Sequence, residues 1–281
     1  MSSPMAINTN MASINSTRNM TATGRSLNNS IQRLSSGLKI NSASDDAAGM
    51  AVSEGLTAQV RGFQQGMENA NEAIALLQTA EGSYNSISDI MIRMRELAVQ
   101  AASDTLTNKE RAYLNTEFED LTAEITRISD VAEYNGIQLL TGTSGANADG
   151  AMVFQVGTRN TVNDQIKITL KDQDSTALGI EALGVDNLAN SQTAIATIDT
   201  ALDQLATDRA TLGSKVNELT SSVDNLAVTI ENLSAANSQI KDADLAKESA
   251  DFTKHQVLMQ SGVAMLSQAN GISQMALRLL G

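Results

Sequence analysis

The chain has 281 residues, a formal charge of −13 from 19 Lys and Arg against 32 Asp and Glu, no Cys, one His, four Phe, three Tyr and no Trp. That balance excludes a phosphate-reading nucleic-acid surface, which needs clustered Lys and Arg; the missing Cys and lone His exclude disulfides, thiolate catalysis and the usual zinc ligand sets. The only proline is Pro4, and a chain otherwise free of proline reads as long helices rather than as a loop-rich catalytic domain.

In chain order, residues 1–44 carry Arg18, Arg25, Arg33 and Lys39 and no acid. Their opening has no apolar core of about seven to fifteen residues, so it does not read as a classical signal peptide. Nowhere does the chain approach about eighteen consecutive apolar residues, and no membrane insertion is expected. This end is rich in Ser, Asn, Gln and Ala with apolar residues at helical spacing. Such a segment forms an amphipathic helix but has little apolar area to offset the entropy of ordering alone.

Ser44-Asp45-Asp46 before Ala47 offers cap oxygens and negative charge to the start of a long helix. Phe63, Ala70, Leu77, Tyr84, Met91 and Ala98 recur every seven residues along it. The companions Val60, Met67 and Ile74, then Ala80, Ile87, Met94 and Ala101, imply a phase slip near Glu81, tolerable in a supercoiled helix. Ser103-Asp104-Thr105 and Asn108 form a break, and Leu114, Phe118, Leu121, Ile125, Ile128 and Ala132 give a shorter helix that Asn135-Gly136 ends as a left-handed cap. Between 141 and 186 the heptads vanish, and residues 152–156 and 165–170 read as two strands joined by a polar loop at 158–164.

The heptads then return. Ile198, Leu205, Leu212, Leu219, Leu226, Leu233 and Ile240 run without interruption, with Ile195, Leu202, Val216, Val223 and Ile230 as the companion row, which misses only at Arg209. Six heptads with both rows apolar predict a coiled-coil seam. A helix of about 50 residues spans roughly 75 Å. Residues 245–281 carry three bases and two acids, leaving −18 for 45–244, and repeat a seven-spacing at Leu258, Met265, Ile272 and Leu279 beside the small Gly262, Ala269 and Ala276.

The fold class expected is mainly α: a long antiparallel coiled-coil rod with a small β-hairpin and paired terminal helices. The segments are 1–44 and 245–281 as the two halves of an inner helical domain, 45–140 and 187–244 as the helices of a rod domain, and 141–186 as its hairpin and loops.

Chemistry is sparse. His255, with Asp251 four residues before it, reads as a surface residue rather than a proton shuttle, and Asp45-Asp46 as helix caps rather than an acid–base pair or a metal site. No G-x-x-x-x-G-K-[S/T], G-x-S-x-G or H-E-x-x-H occurs. No catalytic residue, cofactor or metal is expected, and the chain reads as a non-enzyme.

Certain stretches carry a family resemblance. Residues 33–43, Arg-Leu-Ser-Ser-Gly-Leu-Lys-Ile-Asn-Ser-Ala, followed by Asp45-Asp46-Ala47-Ala48-Gly49, closely resemble the N-terminal signature of bacterial flagellin. Residues 94–101 (MRELAVQA), 134–140 (YNGIQLL) and Phe154-Gln155-Val156-Gly157 resemble its middle motifs. Residues 240–244, 256–258 and 266–270 resemble its C-terminal signature. Ile92 stands where the family usually has a glutamine, and Gly271-Ile272-Ser273 where many members have a proline.

The resemblance implies a short flagellin lacking the variable outer domains: a secreted, extracellular filament subunit exported unfolded through the flagellar type III apparatus. Its implied partners are further copies of itself in a helical homopolymer, an export chaperone, and the cap and hook-junction proteins. The expected assembly contact buries Ile7, Met11, Ile14, Leu27, Ile31, Leu34 and Leu38 against Leu258, Met265, Ile272 and Leu279. An ordinary intramolecular core is the alternative use of those stripes. Recognition by the host Toll-like receptor for flagellin is also implied, at positions matching Arg93, Leu97 and Glu117. A hook–filament junction protein of the same architecture is the nearest alternative, and a soluble coiled-coil adaptor or secreted effector a further one.

Overall fold

The computed structural model describes residues 9–142 and 151–280, with side chains as far as Gly271. Helices α1 (Met11–Ser36), α2 (Ala47–Ala101), α3 (Asn108–Val131), α4 (Leu188–Lys241) and α5 (Leu245–Leu280) carry most of the chain. Two antiparallel hairpins join strands β1 (Glu133–Tyr134) and β2 (Ile137–Gln138), and strands β3 (Ala151–Gln155) and β4 (Gln165–Thr169). The chain divides into two compact units, one of Met1–Ala58 with Asn232–Gly281, the other of Gln59–Glu231. The first therefore takes in the start of α2 and the end of α4 as well as the two chain ends.

Helix boundaries follow local hydrogen bonds. Asp46 caps α2, its Oδ1 accepting from the Gly49 amide at 2.9 Å. Asp45 closes the loop before it: Oδ2 accepts from the amides of Asn41 and Ser42 and from Ser42 Oγ. Those amides hold its carboxyl below the usual carboxylate range. At the far end of α2, Arg111 donates from Nε to Ala101 O at 2.8 Å and from Nη2 to Ser103 O at 2.9 Å, answering carbonyls that a helix terminus leaves without partners. Thr107 and Glu110 form a reciprocal capping box at the start of α3.

The core of Gln59–Glu231 is a heptad seam. On α2 the residues Ala70, Ala73, Leu77, Ala80, Tyr84, Ile87, Met91, Met94, Ala98 and Ala101 are all buried, at alternating spacings of three and four. The seam has no phase slip: Ala73 fills the companion row, while Ile74, expected there, is only half-buried on the flank. On α4, Ile198, Leu205, Leu212 and Leu219 are buried as the spacing predicts. Their companions are Ala194, Ala201 and Asp208, with Ile195, Leu202, Val216 and Val223 half-buried beside them. Small side chains let the helices close on each other, and the larger apolar neighbours cover the seam from the side.

Asn135-Gly136 does not cap α3. Both residues have left-handed backbones, φ 52° and 77°, and form the two-residue turn between β1 and β2, where Glu133 pairs with Gln138 and Tyr134 with Ile137. Consecutive positive-φ residues are what such a turn requires, whereas α3 has already ended at an extended Ala132. Strands β3 and β4 pair from Ala151↔Thr169 to Gln155↔Gln165, bury Met152, Ile166 and Ile168, and lie within a residue of the spans expected. A Cβ on Gly66 of α2 would collide with the Val156 carbonyl, so a glycine there lets helix and hairpin meet. The irregular stretch after β4 adds Leu170, Leu178, Ile180 and Val185 to the core.

Candidate functional site

Helices α1 and α5 pair antiparallel. Asn10 caps α1, its Oδ1 accepting from Ser13 N at 3.0 Å, while its Nδ2 donates to Ala269 O at 2.9 Å. Farther along, Arg33 Nη1 lies 3.7 Å from Glu248 Oε1. At the closed end Gly37 takes a left-handed φ of 71° and terminates α1. Backbone bonds from Ala243 N to Gly37 O (2.9 Å) and from Lys39 N to Lys241 O (2.7 Å) then tie the two arms together.

The rows turned inward mix large apolar groups with small and hydroxyl ones. On α1 the covered positions include Ser13, Ser16, Met20, Thr23, Gly24, Leu27, Ser30 and Leu34, of which only Ser30 is fully buried. On α5 they are Phe252, His255, Met259, Gly262, Leu266 and Ala269. Close fit replaces bulk: a Cβ on Gly24 would lie 3.0 Å from Met259 Cε, and one on Gly262 would lie 3.8 Å from Met20 Cγ. His255, expected at the surface, is half-buried on this inner row, with Nδ1 buried and without a hydrogen-bond partner.

Other large apolar residues face outward. Met11 is 60% exposed, Ile14 52%, Ile31 47%, Leu258 47% and Met265 64%, and Val257 and Val263 are exposed beside them. The expected contact set is therefore divided. Leu27, Leu34 and Leu38 are half-buried, the first two on the inner row of α1. Met11, Ile14, Ile31, Leu258 and Met265 are left open along the two helices. Ile7 and the side chains of Ile272 and Leu279 lie outside the described residues. Sequence spacing could not tell the two faces apart, because both carry large apolar residues and the inner rows intersperse theirs with Ser, Thr, Gly and Ala.

The second set lies in the other unit. Arg93 donates from Nη2 and Nε to Glu117 Oε1 at 2.8 and 3.1 Å, and from Nη1 to Glu96 Oε2 at 3.0 Å. The hydrogen bond to Glu117, then that to Glu96, raises the guanidinium above its ordinary value. Arg93 and Glu117 thus converge on one open surface. Leu97, grouped with them by motif, is 1% exposed and lies in the hydrophobic core of this unit. Asp45 and Asp46 serve the loop and cap described above. Among the described residues, no group of three or more His, Cys, Asp or Glu could hold a metal ion, and no helix is long and apolar enough to cross a membrane.

Two family descriptions match the chain: the bacterial flagellin N-terminal helical region over residues 7–145 and the bacterial flagellin C-terminal helical region over 195–280. A flagellar filament 33 kDa core protein of Treponema phagedenis is 38% identical over 98% of this chain and all of its own length. Flagellins of Halalkalibacterium halodurans and Bacillus subtilis are 39% and 37% identical over the same shares. Among solved structures, Bacillus cereus flagellin is 28% identical, covering 60% of this chain and 94% of its own, at a TM-score of 0.50. A flagellar hook-associated protein from Vibrio parahaemolyticus, only 16% identical at a TM-score of 0.58, shares the fold alone. Full-length relatives, both terminal regions and the helix-and-hairpin fold agree: the chain belongs to the bacterial flagellin family, as a short member.

Proposed function

We propose that this chain is the structural subunit of a flagellar filament, polymerising through its terminal helix pair. The observation that carries the reading is the surface of that pair, which leaves a second set of large apolar residues outside while the inner rows mix Met, Leu and Phe with small and hydroxyl side chains. Exposed Met11, Ile14, Ile31, Val257, Leu258, Val263 and Met265 on one helix pair are an association surface in a protein of this charge. Two different stripes, one per helix, suit a head-to-tail contact that repeats into an open helical polymer rather than closing into a dimer. Residues 1–44 and 245–281 then form the inner domain around the filament axis, and 45–140, 141–186 and 187–244 the domain outside it. Export through the type III apparatus, an export chaperone, and the cap and hook-junction partners follow from the same reading, as does an extracellular location.

The test is the double substitution Leu258→Asp with Met265→Asp. Both side chains face solvent in the monomer, so the monomer's circular dichroism stays as in the unmodified protein while seeded filaments disappear from negative-stain micrographs. Filaments of normal length from that variant would discard the assembly surface.

Recognition by the flagellin-sensing Toll-like receptor is favoured by one observation, the open Arg93–Glu117 pair. Leu97 enters this reading only as packing beneath the surface. Arg93→Ala should reduce receptor-reporter response to soluble monomer at least tenfold, and an undiminished response would remove Arg93 from the contact.

A further inference from the structure

The chain has 12 Met and no Cys, so methionine is the only sulfur it offers to an oxidant. The thioethers are unequally placed. In Gln59–Glu231, Met91 and Met94 are sealed and Met152 is nearly so. On the terminal pair, Met20 and Met259 are half-buried on the inner rows. Met11 and Met265 stand open at 60% and 64%, the most exposed of the described methionines. The two open sulfurs share one end of the pair. Met11 follows the Asn10 cap, whose Nδ2 bonds Ala269 O, and Met265 lies one turn before Ala269 on α5. The backbone bond between Gly37 and Ala243 closes the opposite end.

A two-electron oxidant such as hydrogen peroxide delivers one oxygen atom to such a sulfur. The thioether becomes a sulfoxide, the peroxide is reduced to water, and no bond of the chain breaks. The product differs from methionine in the property that matters on a surface about to be covered. An apolar, polarizable group becomes a polar one whose oxygen accepts hydrogen bonds and donates none. In the monomer that oxygen faces water. Beneath a neighbouring copy it loses that water, and an acceptor desolvated without a donor opposes association.

We propose that Met11 and Met265 form a reversible oxidation switch on assembly: as thioethers they belong to the surface that neighbours cover, and as sulfoxides they keep the subunit out of the polymer. The switch acts on subunits not yet incorporated, because incorporation covers both sulfurs. Met91 and Met94 are spared in either state by their burial. Reductases restore the surface, one enzyme for each sulfoxide epimer; a dithiol becomes a disulfide and the oxygen leaves as water. The proposal rests on the filament reading above.

The test uses the full chain, treated as monomer with hydrogen peroxide until Met11 and Met265 are partly oxidised. Peptide mass spectrometry should find sulfoxide there at least tenfold ahead of Met91 and Met94, with the circular dichroism of the monomer unchanged. After seeded assembly, sulfoxide at Met11 and Met265 should be at least fivefold depleted in pelleted filaments relative to the supernatant. Both methionine sulfoxide reductases together should return the supernatant subunits to filaments. Met11→Leu with Met265→Leu removes the two sulfurs and keeps apolar bulk. Peroxide should move that variant's critical concentration less than twofold from its own untreated value, against at least tenfold for the ordinary chain. The partition measurement needs no substitution and decides the case by itself should the double variant not polymerise. Equal sulfoxide in pellet and supernatant, equal peroxide sensitivity in the double variant, or loss of helical signal in the oxidised monomer overturns the switch alone. Failure of the untreated, unmodified protein to form filaments overturns the filament reading and the switch with it.

Discussion

Tyr84 sits at the centre of the α2 seam, 1% exposed, with the Asp208 carboxylate nearby. Burial first, and that carboxylate second, push its phenol well above the ordinary value, against a smaller opposing pull from Gln173. The sign of the consequence is fixed. An unfolded tyrosine releases its proton near pH 10, whereas the folded one retains it, so the native state holds more protons and stability falls as pH rises through about 10 and beyond. Below about pH 9 both states are neutral there and the residue contributes no slope. Tyr84→Phe should therefore flatten the decline in melting temperature between about pH 9 and 11, while leaving the remaining tyrosines to titrate as before. An unchanged alkaline slope would show that the phenol ionises as readily inside the fold as outside. None of this was legible in the heptad pattern, which marks Tyr84 as a core position. Asp208, which takes a seam position, was hidden behind Arg209, the gap in the companion row inferred from the sequence. Ala73, Ala194 and Ala201 were missed for a related reason: each stands beside a larger apolar residue, Ile74, Ile195 or Leu202, which the spacing takes into the row in its place.

Elements begin and end where short polar side chains satisfy the backbone, and that level of the fold was largely readable. Asp46 before α2 and the break after Ala101 were plain from residue type. The Arg111 cap was not, because it reaches back across the turn from the next helix to bond Ala101 O and Ser103 O. It is 6% exposed, so its removal strands buried carbonyls rather than returning them to water. Arg111→Met should cost about 1.5–3 kcal/mol, the range for hydrogen bonds to a charged group. A lower urea midpoint with an unchanged slope would register it. A loss below about 0.5 kcal/mol would mean that water takes over the carbonyls. The Asn135-Gly136 turn shows the complementary limit: residue type announced a left-handed backbone, but only the pairing of Tyr134 with Ile137 shows that it turns a hairpin rather than closes a helix.

At the scale of the whole molecule the two compact units are built on opposite plans. Gln59–Glu231 buries its heptads, with Leu77, Ile87, Met91, Met94 and Leu205 at 1% exposure or less. The unit of the paired ends buries little beyond Ser30, Ile40, Ser53 and Ala269 and exposes Met11, Ile14, Leu258 and Met265. Local stability follows local burial, so the two should open at different free energies. In the isolated monomer, amide hydrogens of α1 and α5 should exchange at least a hundredfold faster than those between Ala70 and Ala101. The contrast should collapse on assembly, because neighbours would then cover the outward stripes and convert an exposed pair into an interior one. Mass-spectrometric exchange on monomer and filament, compared peptide by peptide, decides the matter. Equal protection of both regions in the monomer would mean that the sparse inner rows, helped by the Asn10 cap and the Gly37–Ala243 backbone bond, suffice to hold the pair. Assembly would then add contacts to a finished structure instead of completing an unfinished one.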